Sequence, residues 1–249
     1  MTRLSVQGLR FRYGSHEVLS GVDLVVESGS CLAVVGRNGS GKSTLVRVCV
    51  GRERPSDGRV TLDGRPVDDD DPQIRRHLAV LSGSVSHYPD LTVREHLELL
   101  ALAHATPEPS RAVDEALAQV SLEGAAEAFP HHLSSGQAQA LRLAALRVRP
   151  RRVVVLDEPE QHLDGAARAA LGRWIAAEAA RGTAVLLVSH DPVLVDACAD
   201  RVLTLVDGTL HDDALHDGSL PDAATAARDR NSGPEDPDTR LERRIDATT

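Results

Sequence analysis

A glycine-rich run carries the clearest chemistry in this sequence, and it contains the only lysine of the chain, Lys42. The other basic residues among the 28 lysines and arginines are all arginines, so lysine has been kept at one position against that background. Lysine is a compact charge on a thin stem, whereas arginine is a broad planar fork, and a tight loop of backbone amides around a phosphate accommodates the former. The run predicts a phosphate-binding loop formed by Gly36, Arg37, Asn38, Gly39, Ser40, Gly41, Lys42, Ser43 and Thr44.

The neighbourhood of this loop strengthens the prediction, because the loop follows an apolar strand and opens a helix. We predict the strand at 31–35 and the helix at 44–50. Backbone N–H groups of the loop and of the helix N-terminus would face the phosphates of a nucleotide. Lys42 would reach the β- and γ-phosphates, and the hydroxyl of Ser43 would bind Mg²⁺.

Two acids at the end of another apolar strand predict the hydrolytic part of the same site. Asp157 and Glu158 directly follow the four apolar residues 153–156. Ligands of open α/β sheets bind at the carboxyl ends of strands, so Asp157 is predicted to hold Mg²⁺ through water. Glu158 is predicted to be the general base that polarises the attacking water. Two acids after a strand are by themselves usually a helix start, and the phosphate loop makes the functional interpretation the favoured one.

Alternating strands and helices must bring these residues together. Short apolar runs predict two or three strands within 4–35, and further strands are predicted at 153–157 and 184–188. An alanine-rich helix at 165–180 joins the last two. This alternation predicts an α/β fold with a mainly parallel sheet.

A helical stretch at 91–146 interrupts the strands and predicts a subdomain outside the sheet. We therefore expect one domain at 1–215 that carries the phosphate loop and the acidic pair, with the helical subdomain at about 84–148. The composition changes after that domain, since the apolar period is lost over 216–249. We predict a disordered tail there, with a partner-binding tail as the alternative.

Composition and charge restrict the class of protein. The chain has 249 residues, of which 41% are hydrophobic and 2% aromatic, so valine, leucine and alanine must fill the core. A net charge of −9 argues against nonspecific nucleic-acid binding over the whole surface, although it leaves room for a local basic patch, and we expect no nucleic-acid partner. The three cysteines lack metal-ligand spacing and are expected to be reduced and buried, as in a cytosolic protein. No apolar run approaches the roughly 20 residues that span a bilayer, so we expect a chain that is soluble alone.

Three further motifs resemble those of a known family. The run 133–137 reads Leu-Ser-Ser-Gly-Gln, Asp164 ends the loop after the acidic pair, and His190 follows the strand 184–188. With the phosphate loop and the acidic strand, and in this order, they resemble the signature, D-loop and switch histidine of ATP-binding cassette (ABC) ATPases. The resemblance covers about 4–208. It implies a P-loop NTPase core with a mainly parallel sheet, an N-terminal antiparallel β subdomain and an inserted α-helical subdomain.

The resemblance also implies roles for the matching residues, with ATP and Mg²⁺ as the cofactors. Lys42, Glu158 and His190 would be catalytic, and Tyr13 would stack on adenine. The alternative for His190 is a structural histidine, and the alternative for Tyr13 is a half-buried strand tyrosine. The signature would close over the ATP of a second cassette in a head-to-tail dimer. The alternative for Ser134 is an ordinary helix N-cap. The implied nucleotide contacts outside the phosphate loop are Tyr13, Ser134, Ser135, Gly136, Gln137 and Asp164.

One position departs from the family pattern in a way that bears on catalysis. The family has a glutamine that binds Mg²⁺ and the attacking water where this chain has Gly83. Ser82 or Ser84 would be weak substitutes. A milder departure is Ser135 at the first glycine of the signature. We predict an active ATPase with an altered metal shell.

The leading functional hypothesis is an ATP-hydrolysing subunit that energises transport through a separate membrane subunit. The segment 88–97 resembles export-type cassettes, so export is the expected direction. We expect a homo- or heterodimer of cassettes at the cytoplasmic face of the membrane, attached through the membrane subunit. The alternatives are a soluble ABC ATPase without a transport role, and a regulatory ATP-binding module that hydrolyses weakly because of Gly83.

Overall fold

Ten strands and seven α-helices make up the part of the chain that the computed structural model describes, residues 3–83 and 88–212. The strands are β1 (Arg3–Tyr13), β2 (His16–Glu27), β3 (Cys31–Val35), β4 (Asp57–Leu62), β5 (Arg65–Pro66), β6 (Leu78–Leu81), β7 (Val153–Asp157), β8 (Ala184–Val188), β9 (Arg201–Val206) and β10 (Thr209–Asp212). The helices are α1 (Lys42–Cys49), α2 (Pro72–His77), α3 (Val93–Ala103), α4 (Pro109–Gln119), α5 (Ser135–Arg147), α6 (Gly165–Ala180) and α7 (Pro192–Cys198).

The strands form two sheets. Four of them make an antiparallel sheet in the order β2-β1-β4-β5. The other six form a sheet in the order β10-β9-β3-β8-β7-β6, in which every neighbouring pair is parallel except β9 and β10. The predicted α/β fold, with a mainly parallel sheet and an N-terminal antiparallel β subdomain, is confirmed.

Apolar layers cover both faces of the parallel sheet, which explains why its central strands lack a polar alternation. All five residues of β8 are buried. In β3, Leu32 and Val34 pack toward α1 and the antiparallel sheet, whereas Cys31 and Ala33 pack toward α6 and α7. Buried on both faces, these strands hold their carboxyl ends rigidly in register, and the predicted site residues follow those ends.

The helices α3, α4 and α5 pack against one another around an apolar core of their own. Leu97, Leu117 and Leu141 are buried in it, one from each helix. In the chain these helices come between β6 and β7, so they are inserted between two neighbouring strands of the parallel sheet. The predicted inserted α-helical subdomain is therefore present.

The limits of the domains remain predictions. The start of the helical subdomain at about 84 falls on residues 84–87, which lie outside the described residues, as does the predicted tail at 216–249. Within residues 3–83 and 88–212, no helix combines the length and the apolar character needed to cross a membrane. The three cysteines are buried and form no disulfide.

Candidate functional site

Four neighbouring parallel strands end at one edge of the sheet, and a predicted site segment follows each of them. In the spatial order β3, β8, β7 and β6, the strands lead into the phosphate loop, His190, the Asp157–Glu158 pair and Gly83. The register aligns these ends, since Asp157 pairs with Val188 at the end of β8. The carboxyl edge of such a sheet is where α/β proteins bind ligands. The fold therefore collects residues that are distant in the sequence.

The first glycine of the phosphate loop tolerates no side chain because strand β9 lies against it. Gly36 has a φ of 153°, and a Cβ atom there would lie 2.5 Å from the carbonyl oxygen of Leu205. The buried ammonium of Lys42 donates to the carbonyl oxygens of Gly36, at 2.7 Å, and Arg37, at 2.9 Å. Both acceptors are neutral, and a phosphate oxygen forms a stronger, charge-assisted bond with an ammonium. Lys42 is thus held inside the loop by partners that a phosphate can replace.

The helix that follows the loop presents an open N-terminus to the same place. Among the described residues, no side chain caps α1, whose N-cap is Gly41 in the left-handed conformation with a φ of 104°. The hydroxyl of Ser40 is buried and has no hydrogen-bond partner in residues 3–83 and 88–212. Uncapped N–H groups and the positive end of the helix dipole attract an anion. Of the other predicted phosphate contacts, Arg37, Asn38 and Gly39 are exposed in the loop, while Ser43 and Thr44 lie in the first turn of α1.

The two predicted Mg²⁺ ligands lie close together. Burial raises the pKa of Asp157, and the charge of Glu158 raises it further, while the nearby Ser43 hydroxyl and the charge of Lys42 oppose the rise. The Asp157 Oδ1 atom is buried without a hydrogen-bond partner among the described residues. A hydroxyl and a carboxylate with an unpaired buried oxygen are the kind of oxygen ligands that Mg²⁺ takes, so these residues fit the ion.

The predicted general base and the predicted switch histidine are neighbours. Glu158 has a φ of 48°, which is uncommon for a residue other than glycine. Its backbone N–H donates to the carbonyl oxygen of Val188 at 2.8 Å, which ties this strained residue to the end of β8. Its carboxylate accepts a hydrogen bond from the Gln161 amide and lies 3.6 Å from the Nδ1 atom of His190. Backbone strain of this kind concentrates at functional sites.

Comparison with protein families places this geometry in a known context. The family described as ABC transporter matches residues 19–161. The chain belongs to this family. It is 34% identical, over 84% of its length and 73% of the relative's, to the aliphatic sulfonates import ATP-binding protein SsuB of Rhodopseudomonas palustris. It is 37% identical, over 80% of its length and 57% of the relative's, to the sulfate/thiosulfate import ATP-binding protein CysA of Mycobacterium tuberculosis.

The fold of the cassette is also that of solved structures. An ATP binding subunit of an ABC transporter superimposes with a TM-score of 0.76 at 30% identity, over 83% of this chain and 87% of that one. A dimeric bacterial ABC transporter cassette has a TM-score of 0.75 at 24% identity, over 84% of this chain and 96% of that one. Among the curated relatives, this chain spans 57% of the sn-glycerol-3-phosphate import ATP-binding protein UgpC 1 of Rhizobium johnstonii, to which it is 32% identical over 84% of its own length.

Tyr13 of the cassette ends β1 and is 47% exposed, which fits both an adenine-stacking ring and the half-buried strand tyrosine considered as the alternative. Its ring packs edge-on against Phe11, with 4.9 Å between the ring centroids. Its hydroxyl accepts a hydrogen bond from Arg47 of α1 at 2.8 Å. Because α1 begins at the phosphate loop, this bond links the aromatic ring to the helix that carries the loop.

The signature residues of the cassette form the exposed start of α5. Ser134 is the helix N-cap, and its hydroxyl accepts from the Gln137 N–H at 3.3 Å while the Gln137 side chain accepts from the Ser134 N–H at 3.0 Å. Ser135 and Gly136 form the first turn. The N-cap alternative is therefore correct for Ser134, although the exposed hydroxyl and N–H groups remain open to a ligand. Asp164 is likewise an N-cap, that of α6.

A second buried acid that the sequence motifs did not identify lies beside the histidine. Glu160 is only 6% exposed, and its Oε1 atom accepts from the Ser189 hydroxyl at 2.6 Å and lies 3.6 Å from Nδ1 of His190. Its Oε2 atom is buried without a hydrogen-bond partner in the described part of the chain. The only sequence signal was a charged residue two positions after Glu158, and acids in loops are usually exposed.

The position without the family's glutamine is open. Gly83 has a φ of 59°, and no described atom lies within 4 Å of the place where its Cβ would be. Ser82, one of the substitutes considered, is buried, and its hydroxyl accepts from Arg52 at 2.8 Å. Ser84, the other substitute, lies outside the described residues. The carbonyl of Gly83 accepts a hydrogen bond from Arg142, a residue that the sequence motifs did not include.

Proposed function

We propose that this chain binds and hydrolyses ATP and that ATP-driven closure of a cassette dimer energises transport through a separate membrane subunit. The supporting observation is the meeting of Lys42, Asp157, Glu158 and His190 at the aligned carboxyl ends of β3, β7 and β8. Membership of the ABC transporter family supports the same function.

Phosphate binding is the first step of the proposed mechanism. The Lys42 ammonium would leave the carbonyls of Gly36 and Arg37 for oxygens of the β- and γ-phosphates, while loop amides and the α1 N-terminus hold the remaining oxygens. Ser43 and Asp157 would hold Mg²⁺. The bound ion supplies positive charge that neutralises the β- and γ-phosphate oxygens. The exposed ring of Tyr13 would stack on adenine.

Hydrolysis would proceed by proton transfer to Glu158. The oxygen of a water molecule forms a bond with the γ-phosphorus, and the bond from this phosphorus to the oxygen bridging the β-phosphate breaks, giving ADP and phosphate. The proton of the water goes to the Glu158 carboxylate. His190 would donate a hydrogen bond to a γ-phosphate oxygen, since its ring lies next to that carboxylate. The catalytic residues of the proposal are therefore Lys42, Glu158 and His190.

A second cassette completes the proposed site. Ser134, Ser135, Gly136, Gln137 and Asp164 would close over the ATP of the partner cassette, and the exposure of all but Gly136 supports that role. The partner is either a second copy of this chain or a related cassette. The dimer would attach to the cytoplasmic face of the membrane through the membrane subunit.

We propose import as the direction of transport, in place of the export expected from the sequence. The relatives named above are import ATP-binding proteins, which supports this direction. Nothing in those names supports the export expectation drawn from 88–97. Co-purification of the chain with a protein that has several membrane spans would test the partnership, and recovery of the chain alone from solubilised membranes would count against it.

Steady-state ATP hydrolysis by the full chain tests the enzymatic part. Glu158→Gln should lower kcat by about 10²–10⁴-fold, the range that general bases contribute, and leave ATP binding intact. The control is Glu123→Gln, which removes an exposed acid remote from the site and should leave kcat unchanged. Rapid hydrolysis that is equal in Glu158→Gln and the unmodified chain would show that the assigned base is wrong.

A regulatory ATP-binding module is the second candidate, and the open space at Gly83 is the observation that favours it. This candidate predicts that the unmodified chain binds ATP but hydrolyses it at a negligible rate, no faster than Glu158→Gln does. The same assay therefore separates the two functions.

A further inference from the structure

Arg142 reaches the position where the family's glutamine is missing, from a helix that belongs to a different part of the fold. It lies on α5, five residues after the last residue of the signature, and is half-buried. Its Nη2 group donates to the backbone carbonyl of Gly83, just beyond β6. The side chain that contacts this segment thus comes from outside it.

The same guanidinium continues into a chain of hydrogen bonds. Its Nη1 group donates to the Oε1 atom of Gln139 at 2.9 Å. Gln139 is 2% exposed, and its Nε2 group donates to the carbonyl oxygen of Pro159 at 2.7 Å. Pro159 directly follows Glu158, the proposed general base. Two side chains of one helix therefore connect the backbone at position 83 to the backbone beside Glu158.

The position of the Arg142 guanidinium has an electrostatic cost. Burial lowers the pKa of Arg142, and the negative charge of Asp157 opposes that shift, so the guanidinium is within the field of the proposed Mg²⁺ ligand. Its Nε group is buried without a hydrogen-bond partner in the described part of the chain. A buried guanidinium in this state is costly, and its two remaining donor groups are both committed to the network.

We propose that Arg142 and Gln139 are positioning residues for ATP hydrolysis, which hold the Gly83 segment and the Glu158–Pro159 backbone in one arrangement. The proposal rests on the ATPase function proposed above. It gives this cassette a polar link between the strand end at β6 and the general base without a side chain at position 83. Arg142 and Gln139 act through backbone groups, and neither needs to touch ATP.

The shape of the guanidinium is part of the argument. A planar fork donates to two acceptors at fixed angles, here a carbonyl oxygen and an amide oxygen, whereas a lysine ammonium is a single centre on a flexible stem. A misplacement of about 1 Å in a catalytic group is sufficient to lower a rate by about 10²-fold. Loss of the fork is therefore expected to lower kcat more than the KM for ATP.

The chain offers a matched control for a merely structural role. Arg149 is also half-buried, and its Nη2 group donates to two backbone carbonyls, those of Arg75 and Leu78. Those carbonyls lie before β6 and at its first residue, at the end of the strand opposite to Gly83. Replacing Arg149 removes comparable hydrogen bonds without disturbing the proposed network.

The experiment compares Arg142→Ala, Arg142→Lys and Arg149→Ala in the full chain. Arg142→Ala should lower kcat by about 10–100-fold with the KM for ATP within about twofold of the unmodified chain. Arg142→Lys should remain well below the unmodified chain because it keeps the charge but not the fork. Arg149→Ala should lower the Tm at least as much as Arg142→Ala while kcat stays within about twofold.

Amide hydrogen exchange without nucleotide supplies a readout that does not depend on activity. Arg142→Ala should speed exchange in 156–163, and Arg149→Ala should not. Unchanged kcat in Arg142→Ala, full activity in Arg142→Lys, or faster exchange in 156–163 for both alanine variants would each overturn the proposal. If the unmodified chain is no more active than Glu158→Gln, the proposed function fails, and the exchange comparison still decides whether the network holds this segment.

Discussion

The Glu160 carboxylate accepts a hydrogen bond from the Ser189 hydroxyl at 2.6 Å, and this contact joins the loop after β7 to the residue that follows β8. The same Oε1 atom is 3.4 Å from the backbone nitrogen of His190 and accepts its hydrogen. A buried acid thus holds the backbone on which the proposed switch histidine is mounted. Buried charges are expensive, and they persist where a site uses them.

Replacing Glu160 with glutamine removes the charge of the side chain and keeps its shape. Glutamine is still able to accept from Ser189, but it places no charge 3.6 Å from the Nδ1 atom of His190. We expect kcat to fall by about tenfold or more because the imidazole loses the negative charge beside it. The Tm should stay the same or rise, since a buried charge is removed while an oxygen that accepts from Ser189 is kept. Steady-state hydrolysis and thermal unfolding measure the two effects.

Glu178→Gln is the matched control for a buried acid with a structural role. Glu178 forms an ion pair with Arg151 at 2.8 Å, in which both side chains are largely buried. Breaking a buried pair on one side typically destabilises by about 3–5 kcal/mol, so the Tm should fall while kcat at low temperature is unchanged. A Glu160→Gln variant that keeps full kcat would contradict the proposed role of Glu160.

Lys42→Arg tests whether the phosphate loop requires a compact cation. The Lys42 ammonium already fits between the carbonyls of Gly36 and Arg37, at 2.7 and 2.9 Å, and a guanidinium is too broad for that place. We expect ATP affinity to fall by about 100-fold, which is about 2.7 kcal/mol. Isothermal titration with ATP and Mg²⁺ measures it. Affinity equal to that of the unmodified chain would show that charge alone is sufficient at position 42.

The strand-end residues could be predicted from the sequence because their positions follow from local order. Asp157 comes directly after an apolar strand, and Lys42 comes after a glycine-rich loop, so a linear pattern identifies both. Glu160, Gln139 and Arg142 could not be predicted in this way. Their partners are distant in the chain, as with Arg142 and Gly83, and only the folded arrangement of α5 against β6 and β7 shows them.

The signature shows a different limit of sequence patterns. The motif predicted a contact with the nucleotide of a second cassette, while the local chemistry of Ser134 and Gln137 equally predicted a helix cap. The structure contains the cap, with both reciprocal bonds formed. The same residues fit a helix cap and a nucleotide contact, because both use the donors and acceptors at a helix N-terminus.

Asp157→Asn should make the nucleotide-free cassette more stable. Burial raises the pKa of Asp157 above its ordinary value of 3.8. The folded state therefore binds a proton at this carboxylate more tightly than the unfolded state does. This contribution favours the folded state fully below pH 3.8 and is lost as the pH rises through the raised folded pKa. At neutral pH the ionised carboxylate therefore destabilises the fold. Asparagine removes that charge, so the Tm at pH 7 should rise by at least about 2 °C.

The same variant should lose the response to the ion. In the unmodified chain, Mg²⁺ with ATP should raise the Tm because a ligand that binds only the folded state stabilises it. Asp157→Asn should show a much smaller rise, whereas Asp70→Asn, which changes an exposed acid, should behave like the unmodified chain. A lower Tm for nucleotide-free Asp157→Asn would contradict the view that burial of this carboxylate opposes folding.

Gly83→Gln restores the family's side chain at the open position and should raise turnover or its coupling to transport. Space is available there, but a φ of 59° costs a residue with a Cβ about 1–2 kcal/mol. Gly83→Ala is the control because it bears the same backbone strain without an amide group. The glutamine variant should therefore hydrolyse ATP faster than the alanine variant, even if the strain lowers the Tm of both. Equal turnover in the two variants would show that this cassette does not use an amide at position 83, and would leave Arg142 as the polar group that serves the segment.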